Sequence, residues 1–262
     1  MGAALIPLTE HQARIAGAAL DEEERKRRHL VIALTGAHAY GFPSPDSDLD
    51  LKGVHVEPTR RLVGMGRVEN HGSRFEIIEG VEIDYASNEI GQVLLGLCKG
   101  FGSYYERILG MWQLRRAPEH ATLAELAQRS FSRRVHAHYH GFATSQYKDA
   151  TSTPTPTAKK ILYVLRTALT GAHLLATGRL VTDLTALVDD YGFSSAHELL
   201  EVKRTGERAP LPEAVAVRWM KDAPRAFEIL DQARDRSPLP EEAPNRPDLE
   251  AWLIELRRNR FD

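Results

Sequence analysis

Two aspartates, Asp48 and Asp50, are separated by one residue and follow an apolar segment (30–34) and a Gly36-Ala37 turn. Alternate side chains of a strand share a face, so the two carboxylates are predicted to lie roughly 6–7 Å apart. Carboxylates this close disfavour sharing negative charge unless a cation lies between them. Oxygen-only ligands suit Mg²⁺, or Mn²⁺, which binds through carboxylates, waters and substrate phosphates. The pattern predicts a metal site that handles a nucleoside triphosphate (NTP) such as ATP; a solvated Asx turn is the alternative.

The wider string around these aspartates resembles the DNA polymerase β nucleotidyltransferase superfamily. That superfamily has an apolar strand, a Gly-Ser or Gly-Gly turn and then Asp-x-Asp, and here Gly36-Ala37 and Asp48-x-Asp50 match the two motifs. The segment 36–54 is similar to one bacterial family of predicted nucleotidyltransferases associated with RNA repair, and the likeness extends over most of residues 30–210. The resemblance implies nucleotidyl transfer with Asp48 and Asp50 as metal ligands.

The resemblance also implies nucleotide contacts around the turn, from Gly36, Ala37, His38 and Ser47. The family usually has a serine at the position of Ala37, and its hydroxyl touches the nucleotide phosphates. Ala37 has no hydroxyl, although the backbone N–H groups of the turn remain able to bind phosphate. His38 is a candidate donor to a β- or γ-phosphate, with a simple turn role as the alternative.

A third carboxylate is expected on a later strand. Residues 74–85 read as a hairpin with Gly80 in the turn, and Glu82 and Asp84 share one face of its second strand. Ser87 is predicted to cap the helix that follows. The resemblance implies that the carboxylate just before this helix, Asp84, is a metal ligand and the general base for an acceptor hydroxyl. Glu82 is the rival, and an exposed hairpin face is the alternative for both.

The segment 158–177 predicts a helix with two distinct faces. Lys159, Tyr163 and Arg166 follow one ridge at three- and four-residue steps. A lysine and an arginine on one ridge can bind a triphosphate, and the string 159–166 resembles the lysine-rich second-domain helix of the same family. These three residues are therefore predicted nucleotide ligands, and an ordinary amphipathic helix is the alternative.

Three histidines, His136, His138 and His140, raise the hypothesis of a zinc hydrolase. On a helix His136 and His140 share a face, but the His-Glu-x-x-His pattern and an obvious third ligand are missing. Surface or core histidines are the favoured interpretation. The single cysteine, Cys98, is predicted to be a buried apolar residue rather than a catalytic thiol.

The composition is that of a folded protein, with 42% hydrophobic residues and a net charge of −2. A nucleic-acid-coating protein is usually basic overall, so any such partner must meet a local patch. The run 21–28 has acids first and bases last, and we interpret it as a solvated helix face. No apolar run reaches the length of a membrane span, and no signal peptide is recognised, so a cytoplasmic location without a membrane partner is expected.

The predicted fold class is α/β (α+β): a small mixed sheet with flanking helices, followed by an all-helical second domain that leaves a cleft between them. Thr9 is predicted to cap a first helix, and Asp248 a last one that packs back on the body. The expected domains are 1–118 as the nucleotidyltransferase core, 119–236 as the helical domain, and 237–262 as a Pro-rich connector with a C-terminal helix.

The most favoured function is Mg²⁺-dependent transfer of a nucleotide from an NTP to an acceptor hydroxyl, with pyrophosphate released. An RNA 3′ end is the first hypothesis for the acceptor, because of the family's association with RNA repair. AMP transfer to a protein hydroxyl is an alternative. A non-catalytic nucleotide sensor or partner-binding module is another, and the missing hydroxyl at Ala37 favours it. Oligomeric state and base preference are not predicted.

Overall fold

The computed structural model describes residues 7–65, 68, 70–153, 156–206 and 210–260. The strands are β1 (Arg28–Leu34), β2 (Leu49–Val56), β3 (His71–Ile78), β4 (Val81–Glu89) and β5 (Gln113–Arg116). The helices are α1 (Glu10–Lys26), α2 (Gly36–Ala39), α3 (Thr59–Val63), α4 (Ile90–Cys98), α5 (Gly102–Leu109), α6 (His120–Arg129), α7 (Val135–Thr151), α8 (Ala158–Thr177), α9 (His197–Arg204), α10 (Glu213–Asp222), α11 (Arg225–Asp235) and α12 (Arg246–Arg258).

The strands form one mixed sheet in the order β3-β4-β2-β1-β5. β2 runs parallel to β4, whereas the pairs β1–β2, β1–β5 and β3–β4 are antiparallel. β1 is almost wholly buried, as expected for its continuous apolar sequence in the interior of the sheet. The predicted mixed sheet with helical flanks is confirmed, and the hairpin turns at Gly80, which has a φ of +81°.

Helix starts show where local patterns succeed and fail. Thr9 caps α1 as predicted, through a capping box in which its hydroxyl accepts from the Gln12 N–H at 3.1 Å. The prediction that Ser87 caps α4 is wrong, because β4 continues to Glu89, whose carboxylate accepts from the Gly91 N–H at 2.6 Å. Ser87 lies within β4, and its hydroxyl is hydrogen-bonded to the Nδ1 atom of His55.

The described residues between 119 and 236 contain helices and no strand. α7 and α8 pack along each other, and α8 ends at Gly178, which adopts a left-handed φ of +68°. One apolar cluster joins residues on both sides of position 118, including Leu97, Leu123 and Leu165. The expected division into domains stays a prediction.

α12 packs against α4 and buries Leu249 and Leu256, so it lies back on the body as predicted. The prediction that Asp248 caps this helix is wrong. The cap position is Asn245, and the Asp248 carboxylate lies inside the first turn, paired with Arg129 at 2.5 Å. In the part of the chain that the structure describes, no helix has both the length and the apolar character needed to cross a membrane.

Candidate active site

Two of the three predicted carboxylates lie side by side on neighbouring strands. In the parallel pair β2–β4, Asp50 is the register partner of Asp84. Their side chains share one face of the sheet, because the side-chain period of both strands is two. Asp48 immediately precedes β2 and is half-buried. Glu82 also lies on β4 but is exposed. The sequence prediction that separate segments bring carboxylates together is met by Asp50 and Asp84.

A lysine ammonium lies between these two carboxylates. The Nζ atom of Lys52 is 3.3 Å from Oδ1 of Asp50 and 2.9 Å from Oδ2 of Asp84. The same Nζ donates to the backbone carbonyl of Asp84 at 3.1 Å. Lys52 was not among the residues predicted from the sequence. The signal was available, because residues 48, 50 and 52 alternate along one strand and must share a face.

Asp50 is the more enclosed carboxylate, with 18% of its side chain exposed against 45% for Asp84. Burial and the neighbouring carboxylate of Asp48 raise the pKa of Asp50 to about 6, although Lys52 opposes this shift. The charge of Asp84 raises the pKa of Asp50 further. Negative charge is therefore concentrated here beyond what one ammonium balances, and the position favours an additional cation.

The glycine of the predicted turn is required by geometry. Gly36 has a φ of +65°, and a Cβ atom placed on it would lie 1.9 Å from Oδ2 of Asp50. The adjacent Thr35 N–H donates to the Asp50 carbonyl at 2.8 Å, which fixes the start of α2 against β2. The backbone of the turn therefore lies directly against Asp50. The left-handed φ and the lack of space both exclude a side chain at position 36.

A cleft of about 310 Å³ opens beside Asp50. Its walls come from the sheet (Asp50, Lys52), α5 (Arg107) and α7 and α8 (Tyr139, Arg166), so both parts of the chain line it. Burial lowers the pKa of Arg107, whose guanidinium bonds the Asn88 side chain at 2.5 Å. Among the described residues Arg107 makes no salt bridge. Arg107 is therefore a cation in the cleft wall without a carboxylate partner among the described residues, and it was not predicted from the sequence.

Arg166, a predicted nucleotide ligand, lines the same cleft but is already paired. Its guanidinium bonds the Glu106 carboxylate at 2.8 Å and stacks 3.7 Å from the centre of the Tyr40 ring. Burial alone would lower the pKa of Arg166, but Glu106 and neighbouring tyrosines raise it above its ordinary value. Both partners are buried. The guanidinium is held in the wall of the cleft, and its role toward a nucleotide stays a prediction.

The other two predicted residues of the α8 ridge are Tyr163 and Lys159. Tyr163 is half-buried in the wall of the cleft, with edge-on ring contacts to Tyr40 and Phe42. Lys159 lies one turn earlier, with its ammonium 5.7 Å from the centre of the Tyr163 ring. Tyr163 is therefore placed to meet a ligand in the cleft, with Lys159 beside it.

His38 and Ser47 lie on a different cavity, of about 770 Å³, on the far side of the turn. The Nδ1 atom of His38 is 2.9 Å from the Pro7 carbonyl, and its Nε2 atom is buried without a hydrogen-bond partner among the described residues. Ser47 is buried, and its hydroxyl accepts from the ammonium of Lys203 at 3.1 Å. Ala37 is buried in the core. The assignment of these three to nucleotide binding stays a prediction.

Within residues that the structure describes, no three histidine, cysteine, aspartate or glutamate side chains form a group that could hold a metal ion. His136 and His140 do share a face of α7, with Asp231 2.7 Å from His136 and 4.0 Å from His140. His138 lies apart from them and stacks on Phe142. The half-buried Cys98 has a raised thiol pKa because of burial, which does not favour a reactive thiolate.

A mixed sheet with facing carboxylates on parallel strands, beside a glycine turn, defines a polymerase β-like nucleotidyltransferase. The sequence profile described as RlaP, the RNA repair pathway DNA polymerase beta family, matches residues 13–255. Because the match covers nearly the whole sequence, the chain belongs to this family.

Two individual proteins are also similar to this chain. The uncharacterized protein MJ0002 of Methanocaldococcus jannaschii is 25% identical over 178 residues, which cover 66% of this chain and 72% of that protein. The crystal structure of a nucleotidyltransferase-like protein from Exiguobacterium sibiricum is 10% identical, with a TM-score of 0.35, and covers 95% of this chain and 81% of that one. A TM-score this low carries no weight for the detailed fold or site.

Proposed function

We propose that the protein transfers a nucleotide from an NTP to an acceptor hydroxyl in a Mg²⁺-dependent reaction. The observation that carries the proposal is that Asp50 and Asp84 are register partners on β2 and β4, with the ammonium of Lys52 between their carboxylates. The family, whose description names a polymerase, supports the same reaction class.

The donor set fits a magnesium ion in kind. Mg²⁺ takes one or two carboxylates and completes its shell with waters and substrate phosphates, so a three-residue protein cage is not required. Asp50 and Asp84 would hold it, Asp48 stays a predicted further ligand, and Mn²⁺ would suit the same oxygens. When bound, the ion would supply charge neutralisation at the phosphates of the NTP. For the carboxylates to accept it, the ammonium of Lys52 has to move off them.

The remaining steps fall to Asp84 and to side chains of the cleft. Asp84 is the more exposed carboxylate and accepts the proton of the acceptor hydroxyl as it attacks the α-phosphorus. The bond to the leaving pyrophosphate breaks in line. Lys52 and Arg107 supply positive charge to the phosphates, and Tyr163 lies in the wall beside them. An RNA 3′ end is the proposed acceptor, in keeping with the family's description.

The experiment follows label from [α-³²P]ATP to an RNA oligonucleotide with a free 3′ hydroxyl, with and without Mg²⁺. The proposal expects labelled RNA and released pyrophosphate only when the ion is present. An otherwise identical RNA with a blocked 3′ end is the control and stays unlabelled. Label on protein instead of RNA would identify a protein hydroxyl as the acceptor. The absence of any labelled product, under all conditions, would contradict the reaction.

A non-catalytic nucleotide-binding role is the second candidate, and one observation favours it. The ammonium of Lys52 lies where the two carboxylates would share an ion, and a lysine that stays there substitutes for the metal. Calorimetry separates the two functions. NTP binding with the same affinity in EDTA and in Mg²⁺, without pyrophosphate release, would support the sensor and contradict the transferase.

A further inference from the structure

A third cavity, of about 460 Å³, lies at the opposite end of β1 and β2 from the carboxylates. Two acids, Glu24 and Glu57, contribute to its lining. The cations that line it, which we call the basic groove, are Arg25, Lys26, Arg27, Arg28, Arg61 and Arg260. The chain as a whole has a net charge of −2, so this excess of positive charge is local. Such a patch is what a polyanion requires of an otherwise acidic protein.

The carboxylates around the basic groove do not neutralise it, because single acids serve two cations each. Glu119 accepts from Arg28 at 2.9 Å and from Arg260 at 2.6 Å. Glu23 likewise accepts from two lysine and arginine side chains of the groove, at 2.6 and 2.7 Å. These contacts hold the guanidinium groups in place while leaving net positive charge. Fixed guanidinium groups suit phosphate oxygens, which they bind through paired N–H donors.

Several cations of the basic groove remain accessible to solvent. Arg25 is exposed and makes no salt bridge with any described residue. Lys26 and Arg61 are paired with Glu23 and Glu57, yet their side chains are 54% and 51% exposed. The basic half of the run 21–28, which we interpreted from its sequence as a solvated helix face, lines this groove. This half reaches the end of α1 and, with α3 and Arg260, forms one continuous wall.

The groove and the carboxylates are separated along one strand. Six residue steps along β2 separate Asp50 from Val56, which is about 20 Å. Most of β2 is buried, so a polynucleotide has to pass over the surface, and at roughly 3.4 Å per nucleotide a stacked single strand needs at least about six nucleotides. A free nucleotide is too short to reach both, whereas a polynucleotide with its 3′ end at the carboxylates passes over the groove.

We infer that the basic groove binds the sugar–phosphate backbone of a single-stranded RNA, upstream of the 3′ end that the cleft takes. The second half of this statement rests on the proposed transferase function. Backbone binding itself does not, because it is a property of the groove's cations.

The test is fluorescence anisotropy with a 5′-labelled RNA 20-mer, without NTP, on the full chain. The double variant Arg25→Ala/Lys26→Ala removes two exposed cations from the last turn of α1. Single-stranded binding changes by about 0.7 log units per lost phosphate contact at 0.1 M salt, so the affinity falls about 25-fold and the salt slope by about 1.4. The control, Arg218→Ala/Lys221→Ala on α10, removes the same charge from an exposed helix and stays within about twofold.

A further probe separates a free nucleotide from a polynucleotide. ATP cannot reach from the groove to the cleft, and its affinity is unchanged in the Arg25→Ala/Lys26→Ala variant. Loss of ATP affinity in that variant would make the groove a nucleotide site and overturn the inference. Equal losses in test and control variants, or no RNA binding by the wild type, would also overturn it. A wild type that binds RNA through the groove yet transfers no label would contradict the transferase proposal alone.

Discussion

The two ends of strands β1 and β2 carry opposite charge. At one end Asp50 faces Asp84 with Asp48 nearby, and burial together with these carboxylates raises the pKa of Asp50. At the other end the basic groove concentrates six cations around two acids. The net charge of −2 conceals this separation completely. The comparison shows that one short sheet can carry a negatively charged end, which we call the acidic edge, and a positively charged end, the basic edge.

The first prediction concerns Asp84, the carboxylate of the acidic edge that is proposed to accept the proton of the acceptor hydroxyl. Asp84→Asn keeps the shape of the side chain but removes its ability to accept a proton, so nucleotide transfer is expected to fall at least about 100-fold. The matched control is Glu82→Gln, two residues earlier on the same strand face and exposed. It is expected to stay within about twofold. A loss in Glu82→Gln with full activity in Asp84→Asn would exchange their roles.

A substitution at Arg166 tests whether its guanidinium serves the buried ion pair with Glu106 or a bound nucleotide. Arg166→Met leaves Glu106 buried without its guanidinium, which is expected to lower the free energy of unfolding by about 3–5 kcal/mol. Urea denaturation measures this loss, and the double variant Glu106→Gln/Arg166→Met is expected to recover part of it. A stable single variant that no longer binds NTP would show instead that Arg166 is a nucleotide ligand.

Gly36 tests how closely the turn approaches the carboxylate. Gly36→Ala places a methyl group 1.9 Å from Asp50 Oδ2 on a left-handed backbone. The backbone strain costs about 1–2 kcal/mol of unfolding free energy, and displacement of Asp50 is expected to abolish transfer. Gly141→Ala is the control, in a helix with nothing within 4 Å of its new Cβ atom. Thermal unfolding is expected to show that variant unchanged or stabilised by up to about 1 kcal/mol. Equal effects at both positions would refute the close approach.

Titration of His29, at the basic edge, is expected to make the stability of the folded protein depend on pH. Burial, followed by the charges of His55 and Arg27, lowers the pKa of His29 to about 3. The unfolded chain then binds the proton more readily, so stability is complete above about pH 6.5 and declines toward pH 3. The slope approaches about 1.4 kcal/mol per pH unit. Urea midpoints between pH 7.5 and 4.5 are expected to be flatter for His29→Gln, and an unchanged slope would exclude His29 as its source.

Strand alternation and the family resemblance together predicted the carboxylates of the acidic edge. The apolar run, the glycine turn and the period of two place Asp48 and Asp50 on one face, and the resemblance supplied Asp84 as the third carboxylate. The same period places Lys52 there, so its absence from the sequence predictions was an omission. The failed helix caps, Ser87 and Asp248, have another cause. Local preferences were overridden by strand pairing at Ser87 and by an earlier helix start at Asn245.

Contacts between distant segments could not be predicted from the sequence. Arg166 looked like a free cation on a helix ridge, because nothing in its neighbourhood announces that Glu106, 60 residues away, pairs with it. Similarly, Ser47 read as part of the phosphate turn but is hydrogen-bonded to Lys203, 156 residues later. The basic groove joins α1, α3 and Arg260, segments that become neighbours only in the folded chain.

The most direct test of the central claim is transfer of label from [α-³²P]ATP by the wild type and by Asp50→Asn, in Mg²⁺, with folding checked by circular dichroism. Asp50 is the carboxylate that meets the turn, Asp84 and Lys52 at once. The account predicts a folded variant whose transfer rate is lower by at least about 100-fold. A folded Asp50→Asn variant that transfers label at the wild-type rate would contradict it.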